Sequence, residues 1–152
     1  VLAFTALLAG ERASVGIFDA WGAFREGDPP RCYAISAPVR IRSPGFASVA
    51  ARFGRSARTA LYIRLSQSAN EAAPVTLAIG ERRFTLSGNG RAAWSPDAAT
   101  DRAIVAAMRG GRSMSVSAVS ARGRPFADSY ALTGAATAID AAILACRPAA
   151  PR

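Results

Sequence analysis

The sequence predicts a mainly β domain of the α+β class: an antiparallel β-sandwich or flattened barrel of about seven to nine short strands with two helices, the second at the C-terminus. Three features predict it. Short apolar runs alternate with polar residues at a period of two, as where Leu61, Ile63 and Leu65 alternate with Tyr62, Arg64 and Ser66. Glycine- and proline-rich turns separate those runs at short intervals. Two longer stretches, 96–111 and 133–146, instead carry apolar residues at helical spacing.

With 152 residues, 51% of them hydrophobic, the chain suits one domain with a substantial core. Charged residues make up 19%, below the roughly 25% of an average soluble domain, which argues against disorder and against a coiled coil. Residues 17–147 are expected to form the single β-rich domain, and 148–152 a loose tail. Residues 1–16 are either a residual signal segment or a first strand, since VLAFTALLAG is apolar but too short to span a bilayer.

Taken in order, residues 17–26 read as one strand, with Phe18, Ala20, Gly22 and Phe24 alternating against Asp19, Trp21 and Ala23. Gly27-Asp28-Pro29-Pro30 turns the chain into a returning strand over 31–37 that carries Cys32. Residues 38–58 are the least regular. Val39 and Ile41 face one way and Arg40 and Arg42 the other, and FASVAARFGRSAR is expected to form a turn or two of helix. Strands follow over 61–65, 75–79 and 83–87, then a turn at Ser87-Gly88-Asn89-Gly90. Asp97 or Thr100 caps the first helix, Ile104, Val105 and Met108 give it an apolar stripe, and Gly110-Gly111 ends it. A strand with Met114, Val116 and Ala118 inward leads, through a turn at 122–125, to a last strand over 126–132. Thr133 then caps a closing helix, which Pro148 stops and whose face carries Ile139, Ile143 and Cys146.

The chain has no histidine, which removes the commonest general base and the commonest metal ligand. No cofactor or metal is expected. Serine lacks a base and a G-x-S-x-G motif, and no P-loop pattern occurs. The two cysteines, Cys32 and Cys146, are expected to form a disulfide tying the closing helix to the front of the domain, which suits an oxidising compartment. The alternative is two buried free thiols packed as small hydrophobes.

All 19 basic residues are arginine, and the net charge is +9. Arg40, Arg42, Arg52, Arg55, Arg58 and Arg64 share a segment without an acidic residue and form a candidate anion-binding surface, because guanidinium pairs bidentately with phosphate. Against that stands a solvated basic face set by composition alone. Nucleic acid is not the expected partner, since only Phe46, Phe53 and Tyr62 interleave and no nucleic-acid motif accompanies them. Asp128, on the same strand face as Phe126 and Tyr130, is either a functional carboxylate or one paired with an arginine or a backbone amide.

Several stretches together resemble the invasion-associated locus B family of alphaproteobacterial exported proteins. They are Phe18-Asp19-Ala20-Trp21, Arg31-Cys32-Tyr33-Ala34, LYIRLS, PVTLAIG, RFTL with the later Trp94, IVAAMRGG and SYALTGAATAIDAAILAC. The resemblance runs from about Phe18 to Cys146 and rests on apolar residues, glycines and cysteines. It implies a non-enzymatic envelope, periplasmic or secreted protein acting through surface contacts on a protein or envelope component, and linked in pathogenic members to host-cell entry. A basic module for anionic lipid, lipopolysaccharide or nucleic acid is the alternative. A thiol assay on denatured, unreduced protein should find no free thiol, whereas two would leave the cysteines unpaired.

Overall fold

In a computed structural model, which describes residues 11–149, ten strands build one antiparallel sheet. They are β1 (Ala13–Phe18), β2 (Trp21–Glu26), β3 (Arg31–Ser36), β4 (Phe46–Phe53), β5 (Ala57–Arg64), β6 (Val75–Ile79), β7 (Arg82–Asn89), β8 (Ala92–Trp94), β9 (Ser113–Val119) and β10 (Pro125–Ala131). Helix α1 (Ala98–Gly110) links β8 to β9, and α2 (Ala135–Cys146) follows β10. The order across the sheet is β1-β2-β3-β4-β5-β8-β7-β6-β9-β10, with β1 and β10 at its two edges among the described residues. The register of β1 against β2 shifts between Ser14 and Gly16, a bulge in the outer strand.

The sheet does not close, but it coils until its two halves share one core. Val49, Leu61 and Ile63 from the first half cluster with Leu77, Val116 and Tyr130 from the second. Its ends approach each other: the Ala20 amide donates to the Thr133 carbonyl at 3.2 Å, and Trp21 Nε1 to the Ala131 carbonyl at 2.8 Å. Trp21 is fully buried.

Helix α1 begins at Asp97, whose carboxylate accepts the Thr100 amide; those bonds hold its pKa below the usual aspartate value. Its buried side carries Ile104, Val105, Met108 and, unexpectedly, Asp101. That carboxylate accepts the Leu61 amide at 2.8 Å, Thr59 Oγ1 at 2.6 Å and Ser95 Oγ at 2.9 Å. The reason lies in the ladder. β8 is three residues long and pairs only with Tyr62, Ile63 and Arg64 of β5, so the Leu61 amide lies beyond its reach and needs another acceptor.

Helix α2 packs against the inner face of β1 to β4 through Ala135, Ala138, Ile139 and Ala142, small enough to bring helix and sheet close. Gly134 starts it in the left-handed region, φ +89, and a Cβ there would collide with the Phe18 carbonyl. Thr133, expected as the cap, does not serve: its carbonyl is taken by Ala20, and Gly134 holds the cap position without a side-chain bond. At the other end Cys146 is bonded to Cys32 of β3, with Cα atoms 5.8 Å apart across 114 residues of chain.

Other expectations change as well. The stretch 17–26 is two strands, broken at Asp19 (φ +52) and Ala20, so Trp21 and Ala23 face the core while half-buried Phe24 lies on the other face and covers Gly22. FASVAARFGRSAR is not helical; it supplies β4 and the turn into β5, with Ala47 and Val49 buried. Alanine's helix propensity is a weak preference, and pairing on both sides of β4 overrides it. β7 runs on to Asn89, and the turn falls at Gly90 (φ +61). Val39 and Ile41 lie in the β3–β4 connection and not in a strand. The run 1–10 and residues 150–152 of the tail lie outside the described residues, and residues 13–16 are strand.

Asp101→Ala should lower unfolding free energy by about 2–4 kcal/mol in denaturant titration, because it strands three donors, two of them side-chain hydroxyls. Asp101→Asn should lose less than half of that, since its amide oxygen can still accept from Leu61 and Ser95. Removing the disulfide with Cys32→Ala and Cys146→Ala should cost up to about 4–5 kcal/mol, the chain-entropy limit for a loop of this length.

Candidate functional site

With α2 seated on the inner face of β1 to β4, no element among the described residues lies over the outer face of these strands. A wet face normally alternates polar residues, but here aromatic side chains occupy it. Cross-strand register sets Phe24 beside Tyr33 and Ala50 beyond it, and Ile35 beside Ser48 and then Tyr62 and Trp94. The Phe24 and Tyr33 rings lie 6.1 Å apart and the Phe46 and Tyr62 rings 5.9 Å, both tilted pairs.

Between these pairs Ser48 and Ala50 are small, and the Tyr33, Phe46 and Tyr62 rings line a groove of about 930 Å³. Arg12 stacks over Phe24 at 4.0 Å, and Arg31 bonds Glu26 at 3.4 Å. The Tyr33 hydroxyl donates to Glu26 at 3.2 Å; burial, and then the Glu26 charge, raise its pKa. At the hairpin end the lining passes Pro30 and reaches the Cys32–Cys146 bridge. The groove therefore offers ring faces and guanidinium donors, and its one carboxylate is already engaged.

The six arginines of the basic segment do not form a single patch. Arg52 stands directly opposite Arg58 at one end of the β4–β5 hairpin, with Arg55 in the connecting turn. Arg64 stands opposite Phe46 at the other end, and Arg40 and Arg42 lie in the β3–β4 connection that enters there. The eight residues of β4 separate the two groups by roughly 23 Å. Ion pairs among the described residues join Arg31 to Glu26 and Arg109 to Asp140, and none of the six takes part.

Asp128 is buried and accepts the Ser66 amide at 2.8 Å and Ser66 Oγ at 2.5 Å. It is paired with a backbone amide, one of the two alternatives its position allowed. Beside it on β10, Tyr130 is fully buried with no partner for its hydroxyl; burial and then the Asp128 charge raise its pKa. Sequence reasoning missed Asp101, whose only signal was an acid among the apolar positions of α1. It weighed Phe46 and Tyr62 only as sparse aromatics beside the arginines and gave Phe24 and Tyr33 no role, though all four are half-buried on the outer face of their strands.

No family model matches the chain, and no curated protein matches it in sequence. Its fold is that of a solved structure. The crystal structure of invasion associated protein B from Bartonella henselae superposes with a TM-score of 0.70, covering 90% of this chain and 99% of that one, at 16% sequence identity. The likeness is one of fold.

Replacing Arg52 with serine should raise stability by a few tenths of a kcal/mol at low ionic strength, a gain that disappears in high salt, because like charges stand directly opposite. Tyr130→Phe should be neutral or stabilising at pH 7, since it removes an unpartnered hydroxyl. The wild-type phenol ionises more readily unfolded than folded, so stability should fall as pH rises above 10, and Tyr130→Phe should fall less in the same pH series.

Proposed function

We propose that the chain is a non-enzymatic protein of an oxidising compartment, in the periplasm, at the envelope or secreted, that acts through contacts on the outer face of β2 to β5. The observation that carries this reading is the groove itself. It shows ring faces and guanidinium groups where an antiparallel sheet would otherwise show polar side chains to water, and the one carboxylate among its described lining residues, Glu26, is engaged. The disulfide supports the compartment, because such bonds persist outside the reducing cytosol. The fold shared with invasion associated protein B supports an exported protein that meets other surfaces.

A second reading, that the face takes an anionic partner, is favoured by Arg52 and Arg58. Side by side and unpaired among the described residues, they gain most from a shared counter-charge. Anionic lipid, lipopolysaccharide and nucleic acid share that chemistry, and a steep fall of affinity with salt would mark it.

Fractionation of cells producing the full-length protein, with thiols trapped at lysis, tests the first reading. The protein should appear outside the cytosol with no reactive thiol, and a cytosolic protein with two free thiols would overturn it. For the face itself, Tyr62→Ala should leave the unfolding free energy within about 1 kcal/mol of wild type while lowering binding to isolated envelopes at least about tenfold.

A further inference from the structure

The β3–β4 connection lies at the opposite end of β4 from Arg52 and Arg58, and it is built differently from the groove. Its sequence from Val39 to Arg42 alternates aliphatic and cationic side chains. Val39 is 62% exposed and Ile41 87%, the largest exposure of any sizeable apolar residue among those described. Arg40 and Arg42 are exposed beside them, and neither makes an ion pair among the described residues.

The segment is nevertheless held in place. The Val39 amide donates to the Ser129 carbonyl at 2.8 Å, the Ser43 amide donates to the Arg40 carbonyl at 3.2 Å, and prolines at 38 and 44 bracket it. Arg42 sits at φ +67, a conformation arginine adopts at a cost, so the tip is fixed in a shape that its own preferences oppose. The one acid lining the adjoining recess is Asp128, already committed to Ser66. Ile17, 67% exposed on β1, stands in the same cross-strand row as Gly22 and Ile35, at the end of the sheet where β3 gives way to this connection.

Two aliphatic side chains held out in water are unfavourable unless something apolar receives them. Two free guanidinium groups beside them select a surface that is apolar inside and negative at its boundary. A bilayer with anionic headgroups has that layering, with acyl chains a few ångströms below phosphates. A soluble anionic partner would engage the arginines and leave Ile41 in water.

We infer that the β3–β4 tip, Val39 to Arg42, is a membrane-surface contact that inserts Val39 and Ile41 among the acyl chains of an anionic leaflet while Arg40 and Arg42 bind lipid phosphates. This contact is separate from the groove on the outer face and stands whether or not that groove has a ligand.

Flotation of the purified, oxidised chain with vesicles tests it, using phosphatidylglycerol mixed equally with phosphatidylethanolamine against pure phosphatidylcholine. The chain should float with the anionic vesicles and not with the neutral ones. Ile41→Ser should lower the partition coefficient at least about tenfold, and Ile41→Leu should keep it. Arg40→Gln and Arg42→Gln should each lower it roughly fivefold and flatten its salt dependence, while Arg52→Gln leaves it unchanged. All these sites are exposed, and near-ultraviolet circular dichroism confirms that each variant is folded.

Failure to float with anionic vesicles would overturn the inference. So would flotation that Ile41→Ser does not weaken, or that Arg52→Gln abolishes, since the contact would then lie on the groove face. Self-association that Ile41→Ser removes, without any vesicle binding, would assign the tip to a contact between copies and overturn it equally.

Discussion

Because α2 is bonded through Cys146 to the middle of the first half-sheet and can start only where Gly134 clears the Phe18 carbonyl, it has one place to lie. That place is the inner face of β1 to β4. Everything else about this half of the molecule follows from the choice. The alanines of α2 make up the roof of the core and the aliphatic residues of β3 to β5 its floor, and no element among the described residues packs on the opposite face. Without the helix the inner residues would be wet, and the sheet would have no reason to prefer one side.

The second constraint is the short strand β8. A three-residue strand at the centre of a ten-strand sheet pairs with only the last three residues of β5 and leaves the earlier ones uncovered on that side. Asp101 on α1 takes the Leu61 amide, just before the covered segment. A second buried aspartate, Asp128 on β10, takes the Ser66 amide beyond the end of β5. A buried carboxylate is costly unless hydrogen-bonded, and each of these has backbone and hydroxyl donors around it. They fasten α1 and β10 to the seam between the half-sheets, a structural role that explains acids on otherwise apolar faces.

Much of this architecture was legible in the residues. The later strands and α1 follow from period-two and helical spacing because each has one buried and one wet side, so the pattern is a direct image of burial. Phe46 to Phe53 was not legible, since its alanines suit a helix equally and only pairing with β3 and β5 decides the matter. The break at Asp19 was hidden because the alternation runs through the turn without losing its appearance, although it changes which residues face inward. The basic segment was visible as a run in sequence, yet the hairpin folds its arginines to opposite ends of β4, a separation that no linear reading contains. Of the aromatic face, Tyr33 and Tyr62 stood at outward positions of legible strands, whereas Phe24 and Phe46 were hidden by the unread break and the misread strand.

A sheet that stops short of closure has two edges that invite another strand to add on, and on β10 the Val39 amide and Trp21 Nε1 already occupy the Ser129 and Ala131 carbonyls. On the β1 side the shift between Ser14 and Gly16 breaks the even spacing of the edge amides and carbonyls. An incoming strand that matches the residues before the bulge is out of step with those after it, so growth by edge addition is halted within a few residues. An irregularity of one residue thus guards the molecule against polymerising through its first strand.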